Sequence, residues 1–222
     1  VLVIGFPSGA FQANCYLVAL GAGGQCVIVD PGEGAVPAIQ EALREHSLTP
    51  AGVLATHGHL DHVWSAAEVA DAHEVAVWIH PADRGLLADP LAGIGPELAQ
   101  VFGDSVPSAE PERVAELGAA QVELAGLHID VDHCPGHTRG SVLFRLVTPE
   151  GGKLAFTGDT LFASGVGRTD LPGGDQTALE ASLRNRILQL DDETVVLPGH
   201  GPSTTIGRER AGNPFLTGTR AG

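Results

Sequence analysis

The stretch Thr56-His57-Gly58-His59-Leu60-Asp61-His62 places three imidazoles and a carboxylate within seven residues. The short apolar run Gly52-Val53-Leu54-Ala55 precedes it. From His62 to Asp71, the segment that follows carries Val63, Ala66, Ala67 and Ala70 on one helical face. The spacing therefore predicts a turn between a buried strand and a helix. In a loop leaving a strand, His57 and His59 can point to one side and hold a metal ion, while Asp61 and His62 open the helix and face a second ion.

So compact a loop needs further ligands from elsewhere in the chain. His137 in HCPGHT (133–138), Asp159 in FTGDT (156–160) and His200 in LPGHG (197–201) each lie just beyond a predicted strand, with Gly beside them. Glycine lets the backbone turn sharply, so that the next side chain reaches the rim of a sheet. Neutral imidazoles with two carboxylates suit zinc, iron or manganese, and a central Asp can bridge two ions about 3.5–4 Å apart. An isolated histidine is better read as a surface or capping residue, and His46, His73, His80 and His128 are read so. His133 is read as a strand-end residue rather than a donor to a ligand.

Outward from these motifs, VLVIGF (1–6), NCYLVAL (14–20) and QCVIVD (25–30) are β-rich runs separated by Gly-rich turns. Val36, Ile39 and Leu43 predict a helix from Pro37 to about His46. EVAVWIH (74–80) is a strand. Asp83 to Pro111, broken repeatedly by Gly and Pro, reads as a covering loop with short helices. QVEL (121–124), LHIDVDH (127–133), SVLFRLV (141–147) and KLAFTGD (153–159) add strands. Asp175 caps a helix with Leu179, Leu183, Ile187 and Leu190 on one stripe, and TVVLPGH (194–200) is the last clear strand. This order calls for two packed sheets with helices outside, as one domain over residues 1–222.

Twelve Lys plus Arg against 27 Asp plus Glu leave a net charge of -15. Such a surface repels a phosphate backbone, so nucleic acid is excluded as a partner. Cys15, Cys26 and Cys134 are widely spaced and odd in number, which argues against a disulfide framework and for a reducing cytoplasm. Cys134, three residues before His137, has no uncommitted base beside it and is read as a small buried residue rather than a nucleophile. No run approaches the roughly 18 apolar residues of a membrane helix, and the N-terminus lacks a signal-peptide pattern, so a cytoplasmic protein without membrane contact is expected.

Taken together, THGHLDH, CPGHT, TGDT and LPGHG resemble the metallo-β-lactamase superfamily across nearly the whole chain. The resemblance implies an α+β fold, the four-layer αββα sandwich. It also implies two divalent metal ions, zinc first and iron or manganese as alternatives. His57, His59 and His137 would hold the first ion, Asp61, His62 and His200 the second, with Asp159 as the bridge. Asp30 in IVDPG would orient a ligand histidine, although a β-turn Asp before Pro-Gly reads the same way.

Within the superfamily, DTLFASGVGRTDLPGGD (159–175) and GHGPSTTIGRERAGNPFL (199–216) resemble short glyoxalase II-like hydrolases. This implies cleavage of a small-molecule thioester by a metal-bound hydroxide, with Asp61 and Asp159 as catalytic carboxylates. Arg168 would be a substrate-binding residue, or else a loop pin paired with Asp170 or Asp175. Where the longer enzymes hold glutathione with a Lys and two Tyr, this chain has Arg168, Asp170 and Pro202, which predicts weak glutathione binding. The rival readings are a mononuclear iron persulfide dioxygenase using His57, His137 and Asp159, and a non-catalytic metal-binding module. Neither a G-x-S-x-G elbow nor a P-loop motif is present.

Overall fold

The computed structural model describes residues 1–103, 106, 110–118 and 120–217. The first sheet has the order β1 (Leu2–Ser8), β2 (Ala13–Ala19), β3 (Gln25–Val29), β4 (Thr49–Leu54), β5 (Val77–Ile79) and β6 (Val114–Glu116). Its first three strands form an antiparallel meander, and β3 to β6 run parallel. The second sheet has the order β7 (Gln121–Leu124), β8 (Leu127–His133), β9 (Val142–Val147), β10 (Lys153–Gly158), β11 (Val195–Pro198) and β12 (Thr204–Thr205). Here only β10 and β11 are parallel.

Alternation along β2 shows how the layers arise. Cys15, Leu17 and Ala19 point to one side and pack with Ile39 and Leu43 of helix α1 (Val36–Glu45) and Val69 of a later helix. Tyr16 and Val18 point to the other side and meet Ile129, Phe144 and Phe156 of the second sheet. Because both faces are covered, every residue of β2 is buried. On the far side of the second sheet, Leu143 and Val196 pack against Leu179, Leu183, Ile206 and Leu216. The result is the helix–sheet–sheet–helix sandwich, the metallo-β-lactamase fold.

Two local readings differ from the structure, while the covering segment has the short helices expected of it. The helix expected from His62 to Asp71 is two helices, α2 (Leu60–Val63) and α3 (Ala66–Ala72). The break occurs where the Ser65 amide and hydroxyl donate to the carbonyls of Pro31 and Gly32, at 2.9 and 2.7 Å. The covering segment contains α4 (Gly85–Ala88) and α5 (Gly95–Phe102), and its residues 104, 105 and 107–109 lie outside the described residues. Helix α6 (Gln176–Asn185) is capped by Asp175, which accepts from the Ala178 amide, but it ends before Ile187 and leaves Leu190 only half-buried. Two short helices, α7 (Ile206–Gly212) and α8 (Pro214–Thr217), close the described chain. Among the described residues no helix is long and apolar enough to cross a membrane.

Candidate metal centre

Four loops converge at one rim of the sandwich. His57 and His59 follow β4, with Asp61 and His62 in α2; His137 follows β8, Asp159 follows β10 and His200 follows β11. Strands β8 and β10 both run antiparallel to β9, and β11 is parallel to β10, so their C-terminal ends share one edge. The two sheets are joined there by backbone bonds, Val142 N–H to the Thr56 carbonyl at 2.8 Å and Asn14 N–H to the Gly199 carbonyl at 2.7 Å. Gly199 permits a close approach: a Cβ there would lie 2.2 Å from Asp159 Oδ1 and 2.7 Å from His62 Cε1. Gly167 does the same for the loop after β10, where a Cβ would lie 2.1 Å from the Asp159 carbonyl oxygen.

Ligand-capable atoms of His57, His59 and His137 lie within 4.8 Å of one another, as do those of Asp61, His62 and His200. Asp159 stands between the groups: its Oδ2 is 3.4 Å from His137 Nε2 and 3.6 Å from His200 Nε2, and its Oδ1 is 3.3 Å from His62 Nε2. His57 Nε2, His59 Nε2 and Asp159 Oδ1 are buried without a hydrogen-bond partner. Buried polar atoms are rarely left so, because each costs about 1–3 kcal/mol. Imidazole nitrogens and carboxylate oxygens converging on one space, some unsatisfied, fit divalent cations.

The surrounding hydrogen bonds set which nitrogen of His57, His62 and His137 faces that space. His137 Nδ1 lies 2.8 Å from the Arg168 carbonyl, which can only accept, so Nδ1 carries the proton and the Nε2 lone pair points inward. Asp30 accepts from the Thr56 amide at 2.8 Å and from the Thr56 hydroxyl at 2.6 Å, and its Oδ2 is 3.0 Å from His62 Nδ1. Since the Thr56 hydroxyl spends its proton on Asp30, it accepts from His57 Nδ1, 3.0 Å away. Asp30 thus aims His62 directly and His57 through Thr56.

Electrostatics follows from this packing. Burial, with the neighbouring histidines, holds His57 well below the ordinary histidine range, and burial and then His137 push His59 down to about 3. For His62, burial opposes the charge, but Asp61, Asp159 and Asp30 outweigh it and raise the pKa. His200 is also raised, its burial outweighed by Asp61 and Asp159. Asp61 and Asp159 are lowered: the imidazoles, His62 foremost, overcome their burial.

One residue of this centre was not singled out in the sequence. Buried Asp83 accepts from the Gly58 amide at 2.9 Å, the Thr138 hydroxyl at 2.6 Å and the Gly140 amide at 2.7 Å. It fastens the loop bearing His57 and His59 to the loop bearing His137. Nothing in His-Pro-Ala-Asp announces this, since a lone Asp after Pro reads as turn chemistry.

Arg168 lines the cavity above the centre, but its guanidinium is held by Asp170 through contacts of 2.6 and 2.7 Å. His133 donates to or accepts nothing from the centre; its Nε2 meets the Arg139 carbonyl at 2.8 Å and its ring stacks on His80 with centroids 4.0 Å apart. His128 pairs with Glu123 at the surface. Cys134 is buried, and burial raises its thiol pKa.

Residues 8–200 match the Metallo-beta-lactamase superfamily. A Mycobacterium tuberculosis protein is 49% identical over 98% of this chain and 99% of its own. Hydroxyacylglutathione hydrolase GloC of Haemophilus influenzae is 38% identical over 95% of each. Among solved structures, the BLEG-1 B3 metallo-beta-lactamase superposes with a TM-score of 0.85 at 36% identity, covering 97% of this chain and 100% of that one. TTHA1623 in a di-iron-bound form gives 0.80 at 39% identity, covering 96% and 100%. ETHE1 from Myxococcus xanthus gives 0.77 at 26%, covering 98% and 85%. On its rim of histidines and aspartates, its sandwich fold and these matches, the chain belongs to the metallo-β-lactamase superfamily.

Proposed function

We propose that the protein is a metal-dependent hydrolase of thioesters. The observation that carries the reading is the pair of ligand clusters meeting at Asp159, with buried nitrogens left unpartnered. His57, His59 and His137 would hold one ion, Asp61, His62 and His200 a second, and Asp159 both. Bound there, divalent ions supply Lewis acidity toward a carbonyl oxygen and bring the ionisation of water close to neutral pH. The similarity to GloC, named a hydroxyacylglutathione hydrolase, supports the substrate class. The di-iron form of TTHA1623 leaves zinc and iron both in view.

The chain's own residues prepare the site. Asp30 and the Arg168 carbonyl keep His62 and His137 in the tautomer that presents Nε2, and Asp83 fixes the spacing of the two loops. Asp61, Asp159 and His200 reach the cavity wall, where a substrate carbonyl would lie. In the reaction the oxygen of water bonds to the carbonyl carbon, its two protons pass to solvent, and the C–S bond breaks to leave a carboxylate. The sulfur leaves with its electron pair as a thiolate. Because a thiol has a pKa near about 8.5, no general acid is needed for its departure.

A second reading, persulfide dioxygenase, has the similarity to ETHE1 and the placement of His57, His137 and Asp159 in its favour. Metal analysis of purified protein, with a thioester panel, nitrocefin and oxygen uptake on glutathione persulfide, separates the readings. Thioester turnover without oxygen uptake is the expected result. Oxygen uptake with one iron per chain would replace it, and turnover of nitrocefin alone would make the protein a β-lactamase.

A further inference from the structure

The cavity over the metal centre is apolar except for its floor and for Arg168 on its wall. It encloses about 250 Å³, and its walls are Phe11, Ile94, Leu98, Phe102, Phe162 and Leu171. These come from four separate segments: the β1–β2 turn, the segment of α5 with the residue before it, the stretch after Asp159 and the loop beyond Arg168. The rings of Phe11 and Phe102 meet with centroids 5.5 Å apart, which joins two of these segments across the mouth.

Helix α5 is apolar yet buries nothing. None of its residues is buried, while Leu98 is 36% exposed and Val101 76% exposed. Phe11, at 42%, is another of the chain's exposed large apolar side chains. Ordinary helices turn such residues inward. Here Leu98 and Phe11 border a recess that ends on His59, Asp61, Asp159 and His200, so an occupant of the recess reaches the ligand cluster. That continuity selects a ligand rather than a partner face.

Charge narrows the choice further. Among the described residues Arg168 is the one Lys or Arg on the cavity wall, and Asp170 already engages it through two hydrogen bonds. A carrier thiol bearing carboxylates, such as glutathione, would have to displace that carboxylate and would face a chain of net charge -15.

We propose that this recess is an acyl-binding site, and that the substrates are thioesters of apolar acyl groups of about four to eight carbons on a carrier without carboxylates. The inference rests on the thioesterase reading and names its substrate class. Each methylene that leaves water for the recess adds affinity, so specificity should climb with chain length until the recess is full.

The test uses the metal-replete protein and acetyl, butanoyl and hexanoyl thioesters of N-acetylcysteamine, with S-lactoylglutathione for comparison. The expected result is a kcat/KM about 10-fold or more higher for hexanoyl than for acetyl, with S-lactoylglutathione below both. Leu98→Asp and Phe102→Ala should each flatten the series, and Leu98 tolerates the change because it is not part of the core. A flat series in the wild type, a hexanoyl-to-acetyl ratio unchanged in both variants, or a preference for S-lactoylglutathione would overturn the proposal. So would self-association that Leu98→Asp abolishes, if the series is flat.

Binding is read separately with the isosteric amides, in which NH replaces the thioester sulfur. Trp64 packs edge-on against Phe102, with centroids 6.2 Å apart, and its fluorescence reports occupancy. Should no thioester turn over, the thioesterase reading fails. The titration then decides the acyl site alone: tighter binding of the hexanoyl than the acetyl amide sustains it, and equal binding ends it.

Discussion

Asp30 and His62 form a buried pair, carboxylate Oδ2 to Nδ1 at 3.0 Å, at the base of the candidate metal centre. Asp30 adopts φ 50°, a left-handed conformation that Asp tolerates better than most residues. It ends β3 with its side chain turned beneath the histidine loop rather than along the strand.

Asp30→Asn keeps the shape but offers a single acceptor to the Thr56 and His62 donors. Metal affinity should fall about 10- to 100-fold, as is usual when the partner of a ligand histidine is lost. Equilibrium dialysis against a metal buffer measures it. Affinity equal to the wild type would mean that Thr56 and the ring packing suffice to aim the imidazoles.

Asp159→Ala removes the carboxylate between the two clusters. Bound metal should drop below that of the wild type and hydrolysis should fall at least about 1,000-fold, with the far-UV circular dichroism unchanged, since the residue sits on a loop after β10. Loss of the folded spectrum would make Asp159 chiefly structural.

For Asp83→Ala, three donors lose their acceptor: the amides of Gly58 and Gly140 and the hydroxyl of Thr138. A destabilisation of about 3–5 kcal/mol is expected, because several buried polar groups go unpaired together. Denaturant unfolding gives the value. Asp83→Asn should stay folded and show its loss mainly in metal affinity, as the two histidine loops drift apart.

His59 separates the folded and unfolded chains in acid. Its folded pKa is lowered from 6.5 to about 3, so the unfolded chain takes up the proton first. The stability that this group contributes is present above pH 6.5 and is lost as pH falls toward 3. In EDTA, the wild-type Tm should therefore drop relative to His59→Asn across that window, whereas the raised pKa values of His62 and His200 act in the opposite sense in both proteins. Calorimetry showing parallel curves would contradict the burial argument.

Cys134 lies in the outer core with Leu143 and Leu179, its thiol pKa pushed up by burial. Cys134→Ser should cost about 1–3 kcal/mol for the buried hydroxyl and keep the hydrolytic rate within a few-fold. A rate loss of several orders of magnitude with full metal content would instead make the thiol part of the chemistry.

The sequence by itself determined the layers and which histidines and aspartates gather at one rim. The apolar run in NCYLVAL predicts a strand buried on both faces and the alternation in LHIDVDH a strand buried on one, and histidine and aspartate beside glycine at four strand ends mark a shared rim. Such signals are local: each depends on residues a few positions apart, and strand polarity then brings the ends together. Only the tertiary structure decided what depends on distant partners. Asp83 is 25 residues from Gly58 and 55 from Thr138, so its three acceptor bonds leave no trace in any short pattern. The break of the motif helix at Ser65, which bonds to Pro31 and Gly32, and the apolar recess assembled from separate loops are of the same kind. Short-range periodicity encodes which face of an element is apolar. Which side chains meet across the rim is set by how the sheets stack, and no single segment carries that information.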